Sequence, residues 1–102
     1  INYSNGNFQS FSIGADITLT LTEWPATNKT GIVRVFINND GVQRTITFAS
    51  NAGAGTLKRS SDWSGTGNTF VIDTPQTRTY VFEFISFDAG ATVFADYIGY
   101  FE

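Results

Sequence analysis

A chain of 102 residues makes one domain with a modest core. It is 16% aromatic, with ten Phe, but only 15% charged, and the remainder is rich in Thr, Ser, Asn and Gly: a neutral surface suited to life outside a crowded cytoplasm. Six scattered cations within a net charge of −3 leave no basic stripe for nucleic acid, no apolar run is long enough to span a membrane, and the absence of Cys, Met and His excludes disulfides, thiolate or imidazole metal ligands and the commonest general base.

Without Met, Ile1 is not an initiator, and a module of a larger polypeptide is expected. Ile1 to Asn7 reads as a linker or entry segment, and residues 8–102 as one domain. Phe8 to Ile13 is the first predicted strand, and Gly14-Ala15-Asp16 turns the chain. "ITLTLT", Ile17 to Thr22, alternates with period two, which points Ile17, Leu19 and Leu21 to the core and the threonines to the wetter face. Pro25 ends that strand because it has no N–H for a ladder, and Trp24 beside it is expected to plug the core. "IVRVFI", Ile32 to Ile37, sets Val33, Val35 and Ile37 opposite Arg34.

Asn39-Asp40-Gly41 has the residues of a tight hairpin turn. "VQRTITF" follows, with Ile46 and Phe48 toward the core and Arg44 past its edge. Asn51 to Gly55 is a loop, and Thr56 to Arg59 a short edge strand. Ser60 to Thr69 is the longest polar stretch, with Trp63 alone in it. Phe70 to Asp73 is a strand, broken by Pro75. About eight strands at the spacing of all-β domains, with no helical period, predict an antiparallel β-sandwich or jelly roll with essentially no helix.

The end of the chain, "YVFEFISFDAGATVFADYIGYF", reads as two strands around Asp88-Ala89-Gly90. Centred on Ala89, the hairpin pairs Phe84 with Phe94, Ile85 with Val93 and Tyr80 with Ile98. One face then carries Tyr80, Phe82, Phe84, Phe94, Ile98 and Tyr100. The other carries Val81, Ile85, Phe87, Val93, Tyr97 and Phe101, interrupted by Glu83. Both are apolar, whereas a solvated face alternates with polar residues. Either a bulge near Asp96 lets opposite ends of the strands bury opposite faces within one domain, or the second face packs on another copy or another protein. Six such side chains are worth roughly 10 kcal/mol when buried, at about 1.5–3 kcal/mol each. Val81, Ile85, Phe87, Val93, Tyr97 and Phe101 are therefore the candidate assembly face.

Reactive chemistry finds little support. Glycoside hydrolysis needs two carboxylates about 5–10 Å apart, and on the register above Glu83 and Asp96 point to opposite faces. Asp40 and Asp88 sit in turns, where they bond local backbone. Without His, only Lys29 or Lys58 remains to activate a Ser or Thr. No catalytic or cofactor-binding set is expected. Asn38-Asn39-Asp40 and Asp62 offer oxygens to Ca²⁺ without a complete loop spacing, so no metal is expected either.

A glycan fits better. "KRSSDWSGTGN", Lys58 to Asn68, combines Trp63, for stacking on a sugar face, with Arg59, Asp62 and Asn68 for its hydroxyls, all on a loop. The plainer reading folds Trp63 down as a lid over the core edge. Asn2-Tyr3-Ser4 and Asn28-Lys29-Thr30 match the N-glycosylation triplet.

The run "ITLTLTEWPATNKTGIVRVFINNDGVQRTITF" followed by "YVFEFISFDAGATVF" resembles a module of tailed-bacteriophage virion proteins, found near the C-terminus of tail-fibre-like or appendage proteins. The matching residues are Leu19, Leu21, Trp24, Pro25, Ala26, Thr45, Ile46, Thr47, Phe48, Phe82, Glu83, Phe84 and Asp88 to Gly90, within Asp16 to Phe101. Where such modules carry Trp-Pro-Gly after the fourth strand, this chain has Asn51 to Gly55. The resemblance implies a non-enzymatic, all-β structural or adhesive module on the virion surface. Its expected partner is its own kind, with a trimer the fibre-like arrangement, or a neighbouring virion protein. The alternative is a free-standing carbohydrate-binding module that uses the Trp63 loop.

Overall fold

Eight strands run through the residues that the structure, a computed structural model, describes: 1, 6, 8–25, 29–50, 56–65, 67–72 and 77–102. They are β1 (Phe8–Ser12), β2 (Ile17–Leu21), β3 (Gly31–Asn38), β4 (Arg44–Ser50), β5 (Thr56–Arg59), β6 (Thr69–Ile72), β7 (Thr79–Ser86) and β8 (Thr92–Phe101), with no helix among the described residues. They form a five-stranded sheet, β1-β3-β7-β8-β5, and a three-stranded sheet, β2-β4-β6. Asn2 to Ser4, Asn28, Asn51 to Gly55, Asp73 and Pro75 lie outside the described residues.

The expected all-antiparallel pairing is corrected to a mixed one. β1 runs parallel to β3, β2 to β4 and β5 to β8, while β3–β7, β4–β6 and β7–β8 are antiparallel. The cause is the connectivity: successive strands up to β7 alternate between the sheets. Two crossings restore the chain direction, so β1 and β3 meet running the same way. Asn39-Asp40-Gly41 is accordingly a corner between sheets rather than a hairpin. Its local chemistry is that of a turn. Gly41 has φ 85°, Asn39 Nδ2 donates to the Val42 carbonyl at 3.0 Å, and the Asp40 carboxylate accepts from the Val42 N–H at 3.3 Å and from Arg44 Nη2 at 2.6 Å.

Both sheets contribute to one core. Leu19, Leu21, Val33, Val35, Ile37, Ile46 and Phe48 are buried as the alternation predicts, whereas Ile17, at the start of β2, is 36% exposed. Phe48 of the smaller sheet lies 5.3 Å from Phe82 and 4.9 Å from Phe84 of the larger, ring centre to ring centre. Phe70 meets Phe82 edge-on at 4.8 Å. Each fully buried Phe is worth about 1.5–3 kcal/mol, and tilted or edge-on ring pairs add about 0.5–1.5 kcal/mol.

Trp24 packs against this core, partly buried. A Cβ on Gly31 would stand 2.7 Å from Pro25 Cδ and 2.8 Å from Trp24 Cε3, so only glycine lets the Trp-Pro corner close on β3. Ile1, read as linker, lies against the core, and its carbonyl accepts from the Thr22 N–H at 2.8 Å.

The terminal hairpin turns one residue tighter than expected. Ala89 and Gly90 have φ 59° and 86°, and the Ala91 N–H donates to the Asp88 carbonyl at 3.2 Å. Positive φ at both central residues is the pattern of a two-residue type I′ turn. Ile85 therefore faces Phe94, Phe84 faces Ala95, Glu83 faces Asp96 and Phe82 faces Tyr97. A slip of one residue exchanges the faces of a strand. A bulge exists, at Ile98 rather than near Asp96, and brings Gly99 opposite Val81 and Tyr100, not Ile98, opposite Tyr80.

Candidate functional site

Strand parity assigns the outer surface of the five-stranded sheet. In register across it run three rows: Ile32, Ile85, Phe94 and Lys58; then Phe8, Arg34, Glu83 and Asp96; then Ser10, Phe36, Val81 and Gly99. Phe87, just past β7, stacks on Phe94 with ring centres 5.5 Å apart. Phe8, Ile32, Phe87, Phe94, Ile98 and Phe101 are all exposed, and Phe94 remains 38% accessible although its strand is paired on both sides. Val81 is buried on this side, outside the core cluster.

Of the candidate assembly residues, Val81, Ile85, Phe87 and Phe101 follow the outward parity of β7 and the end of β8. Val93 and Tyr97 do not. Val93 is fully buried in the core, and Tyr97 packs against it, 4.8 Å from Phe70. The tighter turn is the reason, because it turns Val93, Ala95 and Tyr97 inward and puts Phe94 in their place. Sequence reasoning missed Ile32 and Phe94 as outward residues. The signal for Ile32 was present, since it shares parity with Arg34.

The same register corrects the two acids. Glu83 and Asp96 are direct partners on β7 and β8, so they share the outer face. With Lys58, Ile85 and Phe94 they border a shallow depression of about 240 Å³. Glu83 accepts from Arg34 Nη2 at 2.7 Å, and Asp96 is exposed. Among the described residues no group of three acids could hold a metal ion.

The Trp63 loop is folded inward. Trp63 is 8% exposed. Its ring lies 5.7 Å from Phe48, 5.3 Å from Phe70 and 5.5 Å from Phe82, and Nε1 donates to the Thr69 carbonyl at 2.7 Å. Asp62, Arg59 and Asn68 are exposed. Asp62 accepts from Ser60 Oγ at 2.8 Å, and Arg59 donates to the Gly65 carbonyl at 3.4 Å. The loop thus presents polar groups without a stacking plane. No family model, curated protein or solved structure matches this chain.

Proposed function

We propose that this chain is a non-enzymatic structural or adhesive module of a phage virion, of the tail-fibre or appendage kind, and that it assembles with further copies of itself through the outer face of the larger sheet. The two sheets are read as a β-sandwich of jelly-roll type. The observation that carries the proposal is the exposed apolar surface of Ile32, Phe87 and Phe94, grouped on the outer face at the end of the sheet where β7 turns into β8, of a kind that monomers seldom leave in water.

Charge favours a second copy as the occupant. The face holds Arg34 and Lys58 beside Glu83 and Asp96, two of each sign, so copies arranged around a common axis bring opposite charges within reach of one another. With the Trp63 ring inside the core, a sugar at Arg59, Asp62 and Asn68 has no platform, which weakens the alternative of a glycan site on that loop. Sedimentation equilibrium over a wide concentration range tests the assembly. A discrete oligomer, the trimer being the fibre-like expectation, with a melting temperature that rises with concentration, is the expected result. A monomer throughout removes the proposal.

A further inference from the structure

A second depression, of about 240 Å³, opens where the two sheets part. Phe70 of β6 borders it on one side and Tyr80, Tyr97 and Tyr100 on the other, with Arg78 and Ser64 at its rim. We propose that this cleft binds a saccharide carrying a carboxylate.

Three tyrosines form a continuous aromatic wall. Tyr80 lies 6.3 Å from Tyr97 and 6.0 Å from Tyr100, and Phe70 stands 4.8 Å from Tyr97. Tyr100 is 47% exposed. A tyrosine offers the C–H face of a sugar a flat apolar plane with a hydroxyl at its edge, at little entropic cost. Ser64 Oγ donates to the Val71 carbonyl at 3.0 Å and can still accept, and the hydroxyls of Tyr97 and Tyr100, the less buried tyrosines, supply further partners for ring hydroxyls.

Arg78 adds the charge. Its Cζ lies 3.9 Å from the Tyr100 ring centre. The fork is thereby aimed, and it already holds a carboxylate: Glu102 Oε1 is 2.8 Å from Nη2 and 3.1 Å from Nε. The Glu102 side chain is 60% exposed while that of Arg78 is 13%, so the carboxylate is the partner that can leave while the guanidinium stays in place. A ligand carboxylate takes the place of Glu102 while its sugar ring lies on Tyr100. The cleft lies apart from the outer face of the larger sheet, so this binding and the self-association stand or fall separately.

The test is an NMR and calorimetric titration of the whole chain with a galacturonate trimer, a neutral galactose trimer and poly-glutamate. Saturable binding of the acidic sugar is expected, about tenfold tighter than the neutral one, with Tyr97 and Tyr100 signals shifting. Tyr100→Ala and Arg78→Lys each weaken it about tenfold, the second because lysine keeps the charge and loses the fork. Glu102→Gln strengthens it several-fold at low salt by removing the competing carboxylate, which a purely structural cleft would not do. No saturable binding by either the native chain or Glu102→Gln overturns the inference. So does equal affinity for the neutral sugar, or a preference for poly-glutamate.

Discussion

Ala89 holds φ 59° beside Gly90 at 86°. A Cβ in the left-handed region costs roughly 1–2 kcal/mol, and asparagine tolerates that region better than other residues with side chains. Ala89→Asn creates the Asn-Gly pair that type I′ turns favour. It is expected to stabilise the fold by about 0.5–1 kcal/mol, read as a higher urea midpoint at unchanged slope. An unchanged midpoint would mean that the turn bears no strain. This position also shows why the hairpin register was not legible. Asp88 to Gly90 announces a turn, but alanine gives no sign that it adopts positive φ, so a turn centred on Ala89 and one centred on the Ala89–Gly90 bond read alike. Trp63 poses the opposite case. The plainer reading of it, a lid over the core edge, is what the structure shows, and its N–H needs only one acceptor, the Thr69 carbonyl, to settle there.

The β7–β8 hairpin is tied together at its tip by Asp88. The carboxylate accepts from the Thr92 N–H at 2.8 Å and from Ser86 Oγ at 3.0 Å. Ser86 Oγ in turn accepts from the buried Gly90 N–H at 2.9 Å, and Ser50 Oγ of the other sheet donates to the Gly90 carbonyl at 2.9 Å. The Thr92 N–H, and after it Ser86, hold the Asp88 carboxyl below its ordinary value of 3.8. A carboxyl lowered in the folded state stabilises it fully above the unfolded value, and that share is lost as pH falls through the lower folded value. The native chain is therefore expected to outlast Asp88→Asn in urea at neutral pH, with the gap closing as pH drops below about 4. A gap that stays constant with pH would assign the difference to shape rather than charge. At this scale the strands themselves were legible, because alternation and turn residues mark them one at a time. Their pairing was not, because a period of two hints at a bulge without placing it, at Ile98 rather than Asp96, and does not show that the turn is one residue shorter.

Across the whole molecule, alternation of successive strands between the sheets explains what local reading could not reach. Turn residues such as Asn39-Asp40-Gly41 specify a change of direction, not the layer that the chain enters next, so parallel neighbours such as β1 and β3 were hidden. What the sequence did carry was the excess of apolar residues on β7 and β8 over what one face accommodates. The structure divides that excess by residue, and two adjacent positions now give opposite expectations. Phe94 is exposed on the outer face, and Val93 is fully buried beneath it. Phe94→Lys puts a charge where water already reaches. It should leave folding stability within about 1 kcal/mol and abolish self-association, since an unpaired charge in a dry interface is costly. Val93→Lys forces an ammonium among Phe-lined core contacts and should cost more than about 3 kcal/mol, leaving a largely unfolded chain. Circular dichroism melts and sedimentation on the two variants separate fold from assembly. If Phe94→Lys unfolds the chain while Val93→Lys does not, the register described here is wrong. If Phe94→Lys folds and still associates, the outer face is not where the copies meet.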